Sequence, residues 1–353
     1  MGNLLNNEIY MQDIHKIAHM DIPWDSLKNT TVVISGASGL IGSFLVDVLL
    51  SGRPDLGIHV IALVRNGKRA KARFGQYLEK GNLDVVVADI NCGVPDITCD
   101  KVRYVIHAAS NTHPRAYATE PIQTILTNVV GTKNMLELGL KYNMDRFLFL
   151  SSVEIYGENR GDIEKFDEKY CGYLDCNTLR AGYPEGKRAG EALCQAYITE
   201  RKTDIVITRL PRVFGATMLQ SDTKALSQFL QKGVVAEDIV LKSKGNQQFS
   251  YIYVADAVSG ILYSLLNGQC GEAYNVADAA MDITLAELAK IVADYVQRDV
   301  VFELPDTVEQ VGFSKATKAM LESSKLKSIG WQAQYDLNIS IANTLDIMRA
   351  LNK

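Results

Sequence analysis

Two polar residues, Tyr183 and Lys187, have the types and the spacing for proton transfer. They are four positions apart, and residues i and i+4 of a helix share one face. A neighbouring ammonium favours the phenolate form of a tyrosine, so the pair predicts a base that works nearer neutral pH. The alternative is chance, because a tyrosine and a lysine four positions apart are common in proteins.

A second polar pair, Ser152 and Glu154, follows the apolar run Phe147–Leu150. The run predicts a buried strand, and sheets of alternating strands and helices bind ligands beyond the carboxyl ends of their strands. Ser152 could hydrogen-bond a hydroxyl or carbonyl group there, and Glu154 could move a proton. The alternative is that Ser152 only ends the strand and that Glu154 is solvated. The Tyr183 motif further along the chain favours the catalytic interpretation.

A glycine-rich turn separates the apolar run Val32–Ile34 from the amphipathic segment Phe44–Leu50. Gly36 permits a tight turn, Gly39 leaves room for a phosphate, and Gly42 lets the helix pack close to the sheet. Backbone N–H groups at the start of the helix would face that anion. The pattern predicts a dinucleotide-binding turn rather than a plain tight turn. The predicted cofactor contacts here are Gly36, Ser38, Gly39, Leu40, Ile41 and Gly42.

The second predicted strand, His59–Val64, ends at Arg65, and Lys68 and Arg69 follow. Chains that bind NAD usually carry an acidic residue at this point, which binds the ribose hydroxyls. An arginine suits a 2′-phosphate and can stack on adenine. Arg65 therefore favours NADP, with NAD left open, and the alternative is a basic helix start that faces solvent.

The elements that position these residues alternate between strand and helix, which predicts a doubly wound parallel sheet. The predicted strands are Val32–Ile34, His59–Val64, Leu83–Val87, Val102–His107, Arg146–Leu150 and Ile205–Thr208. The predicted helices between them are Phe44–Leu50, Lys68–Lys80, Pro121–Lys141 and Tyr183–Glu200.

Beyond Leu210 the predicted segments become shorter, which indicates a smaller α/β lobe packed on the first. They are a helix at Lys224–Gln231, strands at Ile239–Leu241 and Phe249–Val254, a helix at Ala257–Leu266, a strand at Ala273–Val276 and a helix at Leu285–Val296. Thr284 and Glu287 form a predicted capping box for the last helix. We divide the chain into a helical extension (1–29), a dinucleotide-binding domain (30–210) and a substrate-binding lobe (211–353), with some interleaving.

Composition excludes several classes of protein. The chain has 353 residues, 47% hydrophobic residues and a formal net charge of −4. It therefore lacks the excess of basic residues that would indicate nucleic-acid binding. No apolar run reaches the ~20 residues that span a bilayer, and the N-terminal segment has no signal-peptide pattern. The six cysteines form no C-x-x-C pair and the five histidines lack ligand spacing. We expect reduced thiols, no metal site and a cytoplasmic location.

The glycine turn, Ser152, Tyr183 and Lys187 together resemble the extended short-chain dehydrogenase/reductase family, whose members are NAD-dependent epimerases and dehydratases acting mostly on nucleotide-sugars. The similarity spans nearly the whole chain. It implies a Rossmann-type sheet with a smaller substrate lobe, and it implies cofactor contacts at Asp89, Ile90, Ala108 and Ala109. Three further segments resemble family motifs, namely His107–Ser110, Asn128–Thr132 (N-x-x-G-T) and Tyr253–Asp256 (Y-V-x-D).

Within that family the chain is most similar to UDP-glucuronate decarboxylases, followed by sugar 4,6-dehydratases. Tyr117–Thr124 resembles Y-x-x-N-P-I-x-T, Tyr183–Arg188 resembles Y-D-E-G-K-R, and Ser152–Glu154 occupies the place of T-S-E. The resemblance implies a homodimer formed through the helices Pro121–Lys141 and Tyr183–Glu200. The expected substrate contacts are Ser110, Thr112, Tyr117, Arg212 and Lys224, and His113 faces either substrate or solvent.

Two positions depart from the family pattern. Arg212 stands where the family motif R-x-F-N-x-x-G-P has its asparagine. Phe249 stands where the decarboxylases carry an arginine that supports the charged groups of the substrate. Our hypothesis is that Arg212 supplies the missing charge from another side; otherwise the substrate is not a glucuronate.

The resemblance also implies a mechanism that starts with oxidation of a sugar hydroxyl at C4. Tyr183, supported by Lys187, takes the proton, hydride passes to the nicotinamide, and Ser152 holds the oxygen. The ketone then permits epimerisation or loss of water or carbon dioxide, before hydride returns. Glu154 would be the acid/base of that middle step, and its presence favours dehydration or decarboxylation over epimerisation.

Two other functions stay open at this point. Arg65 favours an NADP-dependent reductase of a keto-sugar or another carbonyl compound. A protein that senses NAD(P) without turnover needs neither Tyr183 nor Lys187, so the intact set argues against it. The family resemblance also implies a role in the synthesis of precursors for polysaccharides.

Overall fold

The computed structural model describes residues 4–112, 114–303 and 316–352, which form a central parallel sheet and a smaller lobe. The described strands are β1 (Thr31–Ser35), β2 (His59–Val64), β3 (Leu83–Val87), β4 (Tyr104–His107), β5 (Arg146–Ser152), β6 (Ile205–Leu210), β7 (Arg212–Phe214), β8 (Ile239–Leu241), β9 (Gln248–Tyr253), β10 (Ala273–Asn275), β11 (Asp282–Thr284), β12 (Val300–Phe302) and β13 (Lys318–Ala319).

The helices alternate with these strands. They are α1 (Glu8–Ala18), α2 (Leu40–Asp47), α3 (Gly67–Lys80), α4 (Pro114–Thr119), α5 (Pro121–Leu126), α6 (Thr132–Lys141), α7 (Gly182–Arg201), α8 (Ala225–Val234), α9 (Val254–Asn267), α10 (Leu285–Val296), α11 (Ser324–Ser328) and α12 (Leu337–Leu351). Wide π-type turns follow α2 and join α5 to α6. Among the described residues, no helix combines the length and apolar character needed to cross a bilayer.

The central sheet has the strand order β3-β2-β1-β4-β5-β6-β10, and every pairing in it is parallel. Successive residues of a strand point to opposite faces. In β1, Val32 and Ile34 accordingly pack into one apolar cluster, whereas Val33 packs into a second cluster on the other face. Both faces of the sheet are covered, which confirms the doubly wound α/β fold predicted from the alternating elements.

The smaller lobe is built around β9, which pairs with β7, β11 and β13. Strand β10 leaves the lobe and joins the main sheet beside β6, so the chain crosses between the two parts more than once. The proposed division at residues 210 and 211 therefore stays a prediction.

The N-terminal extension contains the expected helix, α1, and this helix is part of the core. Tyr10 is buried, and its hydroxyl donates to Asp47 Oδ2 at 2.5 Å. The hydroxyl of Tyr253 donates to Asp13 on the same helix. Asp256 accepts backbone hydrogen bonds from Gln334 at 2.8 Å and Tyr335 at 3.1 Å. The Y-V-x-D motif thus fastens α9 to the two ends of the chain.

Most predicted elements agree with the structure. The bounds of β2, β3, β8 and α10 are as predicted, and the capping box of Thr284 and Glu287 is present. The predicted helix Pro121–Lys141 contains a wide turn at Thr127–Gly131, and the predicted strand at Val102 begins only at Tyr104. The sequence interpretation omitted several short or end-of-chain elements, namely α4, β7, β11, β12, β13, α11 and α12.

Candidate active site

A cavity of about 550 Å³ opens between the carboxyl ends of the central strands and the smaller lobe. This size suits a small-molecule site. Every site residue predicted from the sequence lines this one cavity. They are Gly36, Ser38, Gly39, Leu40, Ile41, Gly42, Arg65, Asp89, Ile90, Ala108, Ala109, Ser110, Thr112, Tyr117, Ser152, Glu154, Tyr183, Lys187, Arg212 and Lys224. Their individual roles remain predictions, and His113 lies outside the described residues.

The glycine turn between β1 and α2 is tightly closed. Gly36 has a φ of +71°, and a Cβ atom there would lie 2.8 Å from the Cα and N atoms of Ala109. A Cβ atom at Gly42 would lie 2.4 Å from the carbonyl oxygen of Gly36. These close approaches require glycine and bring the start of α2 against the loop after β4. The turn, with Leu40 and Ile41 lining the cavity, fits the pyrophosphate of a dinucleotide.

Two arginines occupy the adenosine end of this cavity. Arg69 donates from Nη2 to the carbonyl oxygen of Ser38 at 2.6 Å, so its guanidinium lies against the glycine turn. Arg65, directly after β2, donates from Nη2 to Asn111 Oδ1 at 3.3 Å. Asp89 lines the same region from the loop after β3. The structure therefore puts cations at the point where a ribose-binding carboxylate would otherwise stand.

Helix α7 carries Tyr183 and Lys187. Two of its glycines let this helix pack close to its neighbours, which brings both residues to the cavity. A Cβ atom at Gly190 would lie 2.6 Å from the ring of Phe149 on β5. A Cβ atom at Gly186 would lie 3.0 Å from the Cβ atom of Asn128. This close packing brings Tyr183 to the end of β5, where Ser152 is near enough to lower the pKa of its hydroxyl.

The electrostatics of Tyr183 differ from the expectation drawn from its spacing with Lys187. The pKa of Tyr183 is raised to about 12, and burial is the largest cause. The neighbouring Ser152 lowers this pKa, Glu154 raises it and Arg180 lowers it. Lys187 instead donates from Nζ to the carbonyl oxygen of Leu150 at 2.6 Å, and burial lowers its pKa to about 7. In this structure, Arg180 is the cation that favours the Tyr183 phenolate.

Arg180 is the main site residue that sequence reasoning missed. It lies in the turn before α7, and its Nη2 atom is 2.7 Å from Glu154 Oε1. Its guanidinium covers the Tyr117 ring at 4.4 Å, and the rings of Tyr117 and Tyr183 are 5.0 Å apart. The available signal was a cation three positions before Tyr183. This arrangement places the Glu154 carboxylate, which is paired with Arg180, beside Tyr183, the candidate base.

The lobe supplies the other wall of the cavity. Arg212 on β7 pairs in register with Tyr251 on β9, and its guanidinium lies 3.4 Å from the ring centroid of Phe249. Burial lowers the pKa of Arg212, and its Nη1 atom is buried without a hydrogen-bond partner among the described residues. Lys224 is held by Asp222, with 3.1 Å between Nζ and Oδ2.

Two residues of the expected motifs, His107 and Ser110, have supporting positions. His107 is fully buried, with Nδ1 2.7 Å from Ser35 Oγ and Nε2 3.1 Å from Thr132 Oγ1. Burial lowers its pKa to about 3, so it is neutral. Ser110 donates to Asn128 Oδ1 at 2.9 Å. These contacts support the loop after β4 rather than offering a second base.

The fold and the glycine turn are typical of proteins of the short-chain dehydrogenase/reductase type, and comparison with known families agrees. Residues 32–277 match the family described as the NAD dependent epimerase/dehydratase family. The match covers well over half of the chain, so the chain belongs to this family.

Individual relatives are more distant. The chain is 27% identical over 316 residues to UDP-glucuronic acid decarboxylase 1 from Danio rerio, covering 89% of this chain and 71% of that protein. It is 28% identical to UDP-glucuronic acid decarboxylase 6 from Arabidopsis thaliana, covering 85% of each.

Solved structures show the same fold at lower identity. UDP-glucose 4-epimerase from Thermotoga maritima, solved with UDP-glucose, matches with a TM-score of 0.77 and 20% identity, covering 92% of this chain and 100% of that chain. A dTDP-glucose 4,6-dehydratase from Streptomyces venezuelae, solved with NAD, matches with a TM-score of 0.76 and 22% identity, covering 90% and 96%.

Proposed function

We propose that this protein modifies a nucleotide-linked sugar through transient oxidation at C4. The observation that carries this proposal is the convergence of Ser152, Tyr183 and the Glu154–Arg180 pair beside the glycine turn, within one cavity. The named relatives support the substrate class, since they are decarboxylases, epimerases and dehydratases of nucleotide-sugars.

The glycine turn and the loop after β4 would hold a nicotinamide dinucleotide, with Ala108 and Ala109 against Gly36. When bound, this cofactor accepts a hydride and later returns it. Tyr183 removes the proton of the sugar hydroxyl, and Ser152 donates a hydrogen bond to the same oxygen. Lys187, whose pKa is about 7, can supply or accept the balancing proton at its Nζ atom.

Glu154 is our candidate acid/base for the step between the two hydride transfers. Its carboxylate lies next to Arg180, which keeps it oriented toward the catalytic end of the cavity. A ketone at C4 makes the C5–H group acidic, so the Glu154 carboxylate can take that proton while the C6 hydroxyl leaves as water. In a 4-keto-uronate the ketone is β to the carboxylate, so the C5–C6 bond breaks, carbon dioxide leaves and its electron pair stays as an enolate. The acid form of Glu154 then returns a proton to C5. We favour decarboxylation or dehydration over epimerisation for this reason.

We further propose a preference for NADP over NAD, based on Arg65 and Arg69. Their two guanidinium groups can bind a 2′-phosphate, whereas no carboxylate follows β2 to bind the ribose hydroxyls. Replacing Arg65 with alanine should weaken NADPH binding by about tenfold or more and leave NADH binding nearly unchanged. Calorimetric titration with both cofactors measures this; equal losses for NADH and NADPH would contradict it.

The same arginines favour the second candidate function, an NADP-dependent reductase of a keto-sugar or another carbonyl compound. Such an enzyme would use Tyr183 as the proton donor and would not need Glu154. The two functions therefore differ in whether the cofactor is consumed.

A homodimer fits the apolar residues exposed near α5 and α7. Ile122 is 70% exposed and Leu179 is 57% exposed, with Ile125 beside them. Large apolar side chains that cluster on a surface mark interaction sites. Light scattering of the purified protein should give twice the chain mass, and Ile122→Asp should reduce it.

The experiment that tests the proposed function is mass spectrometry of the protein incubated with UDP-, GDP-, CDP- and dTDP-sugars, including UDP-glucuronate. The bound cofactor is released and identified in the same samples. A product that has lost water or carbon dioxide, or a new isomer, with no net cofactor consumption supports the proposal. No conversion of any sugar, together with oxidation of NADPH by a keto substrate, would favour the reductase instead.

A further inference from the structure

The catalytic end of the cavity contains more fixed cations than carboxylates. Glu154 is already paired with Arg180 at 2.7 Å. Arg212 is a second guanidinium on the same wall, and both Glu154 and Arg180 are near enough to influence its pKa. The other acidic residues lining the cavity are Asp89, at the adenosine end, and Asp222, which is paired with Lys224. Arg212 therefore has no carboxylate of its own among the described residues.

Arg212 is held in place by packing rather than by charge. The Cζ atom of its guanidinium lies over the Phe249 ring, 3.4 Å from the centroid, and Tyr251 lies opposite Arg212 on β9. Stacking occupies the face of the guanidinium and leaves its N–H edge free to donate. The Nη1 atom is buried without an acceptor among the described residues, which is costly unless a ligand provides one.

The acceptor that best matches a guanidinium edge is a planar pair of anionic oxygens, as in a carboxylate. A diphosphate could also provide anionic oxygens. However, Arg212 lies at the end of the cavity occupied by Glu154, Arg180 and Tyr117, where the sugar ring must sit to reach Tyr183. This location favours an acidic group on the sugar itself.

We propose that Arg212, stacked on Phe249, binds a carboxylate of the sugar, so that the substrate is a nucleotide-linked uronic acid. The proposal rests on the proposed function above, because it identifies the sugar in that same site. Arg212 then determines specificity by rejecting neutral sugars, which would leave its buried N–H group without an acceptor.

The test is a binding comparison between matched sugars. Calorimetry measures UDP-glucuronate against UDP-glucose, and dTDP-glucuronate against dTDP-glucose, in the presence of the cofactor. A Tyr183→Phe background prevents turnover. The protein should bind at least one glucuronate about tenfold or more tightly than the neutral sugar on the same nucleotide. Arg212→Gln should weaken the glucuronate by about 10- to 100-fold and the neutral sugar by less than about threefold.

Two further variants show whether the charge itself matters. Arg212→Lys keeps a cation and should retain part of the preference. The double variant Arg212→Asn, Phe249→Arg places a guanidinium on the neighbouring strand, at a point where the two side chains already touch. This variant should restore the preference for the glucuronate. Circular dichroism and thermal melting confirm that each variant is folded.

The outcomes separate this inference from the proposed function. If Arg212→Gln weakens charged and neutral sugars equally, Arg212 binds the diphosphate or only supports the fold, and the uronate proposal is overturned while the nucleotide-sugar function stands. If a folded protein with cofactor binds none of the four compounds, the uronate proposal is also overturned. If that protein also converts no sugar in the mass-spectrometry panel, the proposed function fails with it.

Discussion

The two halves of the cavity are constructed differently. We propose that one half binds the cofactor and the other half binds the substrate. The cofactor half is formed by short continuous stretches, above all the turn Ser35–Gly42, where Gly36 approaches the loop directly after β4. The substrate half combines Arg180 before α7, Arg212 on β7 and Phe249 on β9, which are far apart in the sequence. The first half depends on backbone geometry, and the second depends on how separate elements pair.

This difference separates chemistry from specificity. The backbone conformation at Gly36 and the position of Tyr183 near Ser152 support our proposals of a cofactor site and a base, and both can be present in proteins with many substrates. The charge of Arg212 is carried by β7, an element separate from the glycine turn and α7. Substitutions in the two halves should therefore produce different kinds of defect.

The largest effect is expected for Tyr183→Phe. The substitution removes the hydroxyl near Ser152 and keeps the ring that packs on Tyr117. We expect the rate of cofactor reduction by substrate, followed at 340 nm, to fall about 10³-fold with nearly unchanged sugar binding. The control Tyr117→Phe keeps the stacked pair and should lose less than about tenfold. Equal losses in both variants would contradict the assignment of Tyr183 as the base.

A smaller and different defect is expected for Gly36→Ala. The residue has a φ of +71°, and its Cβ atom would meet the Ala109 backbone at 2.8 Å. The left-handed backbone alone should cost about 1–3 kcal/mol, and the displaced turn should lose cofactor affinity. Thermal melting and calorimetry measure both.

Gly75→Ala on α3 is the matched control for Gly36→Ala. No atom lies within 4 Å of the added Cβ atom, so this change should raise stability by up to about 1 kcal/mol and leave cofactor binding unchanged. If Gly36→Ala were as well tolerated as Gly75→Ala, our conclusion that the glycine turn is tightly packed would be contradicted.

The smallest effect concerns pH. Arg180 lowers the pKa of Tyr183, although burial is the dominant influence and raises it to about 12. Replacing Arg180 with methionine should therefore raise that pKa, and the rising limb of the rate of cofactor reduction should move to higher pH. Stopped-flow profiles from pH 6 to 11 measure this. A limb that stays in place, or that moves to lower pH, would show that Arg180 acts only on Glu154.

The comparison also shows what could be predicted from the sequence. Strand β2, helix α10 and the glycine turn depend on local patterns, namely buried apolar runs, a capping box and a required φ. These features were predicted because neighbouring residues alone determine them.

The contacts of the substrate half could not be predicted in the same way. Arg180 meets Glu154 only because α7 packs against the end of β5, and Arg212 meets Phe249 only because β7 pairs with β9. The expected influence of Lys187 on Tyr183 also failed to appear, since Lys187 turns to the carbonyl group of Leu150. Spacing along one helix does not show where a long side chain finds its acceptor.

The most direct test of the central claim is a single-turnover measurement with Glu154→Gln and the nucleotide-sugar converted by the unchanged protein. Absorbance at 340 nm follows the cofactor, and mass spectrometry follows the sugar. We predict that the cofactor becomes reduced and stays reduced, with a keto-sugar accumulating and no final product. Normal product from Glu154→Gln, or no cofactor reduction at all, would contradict the proposal that oxidation by Tyr183 precedes a separate step at Glu154.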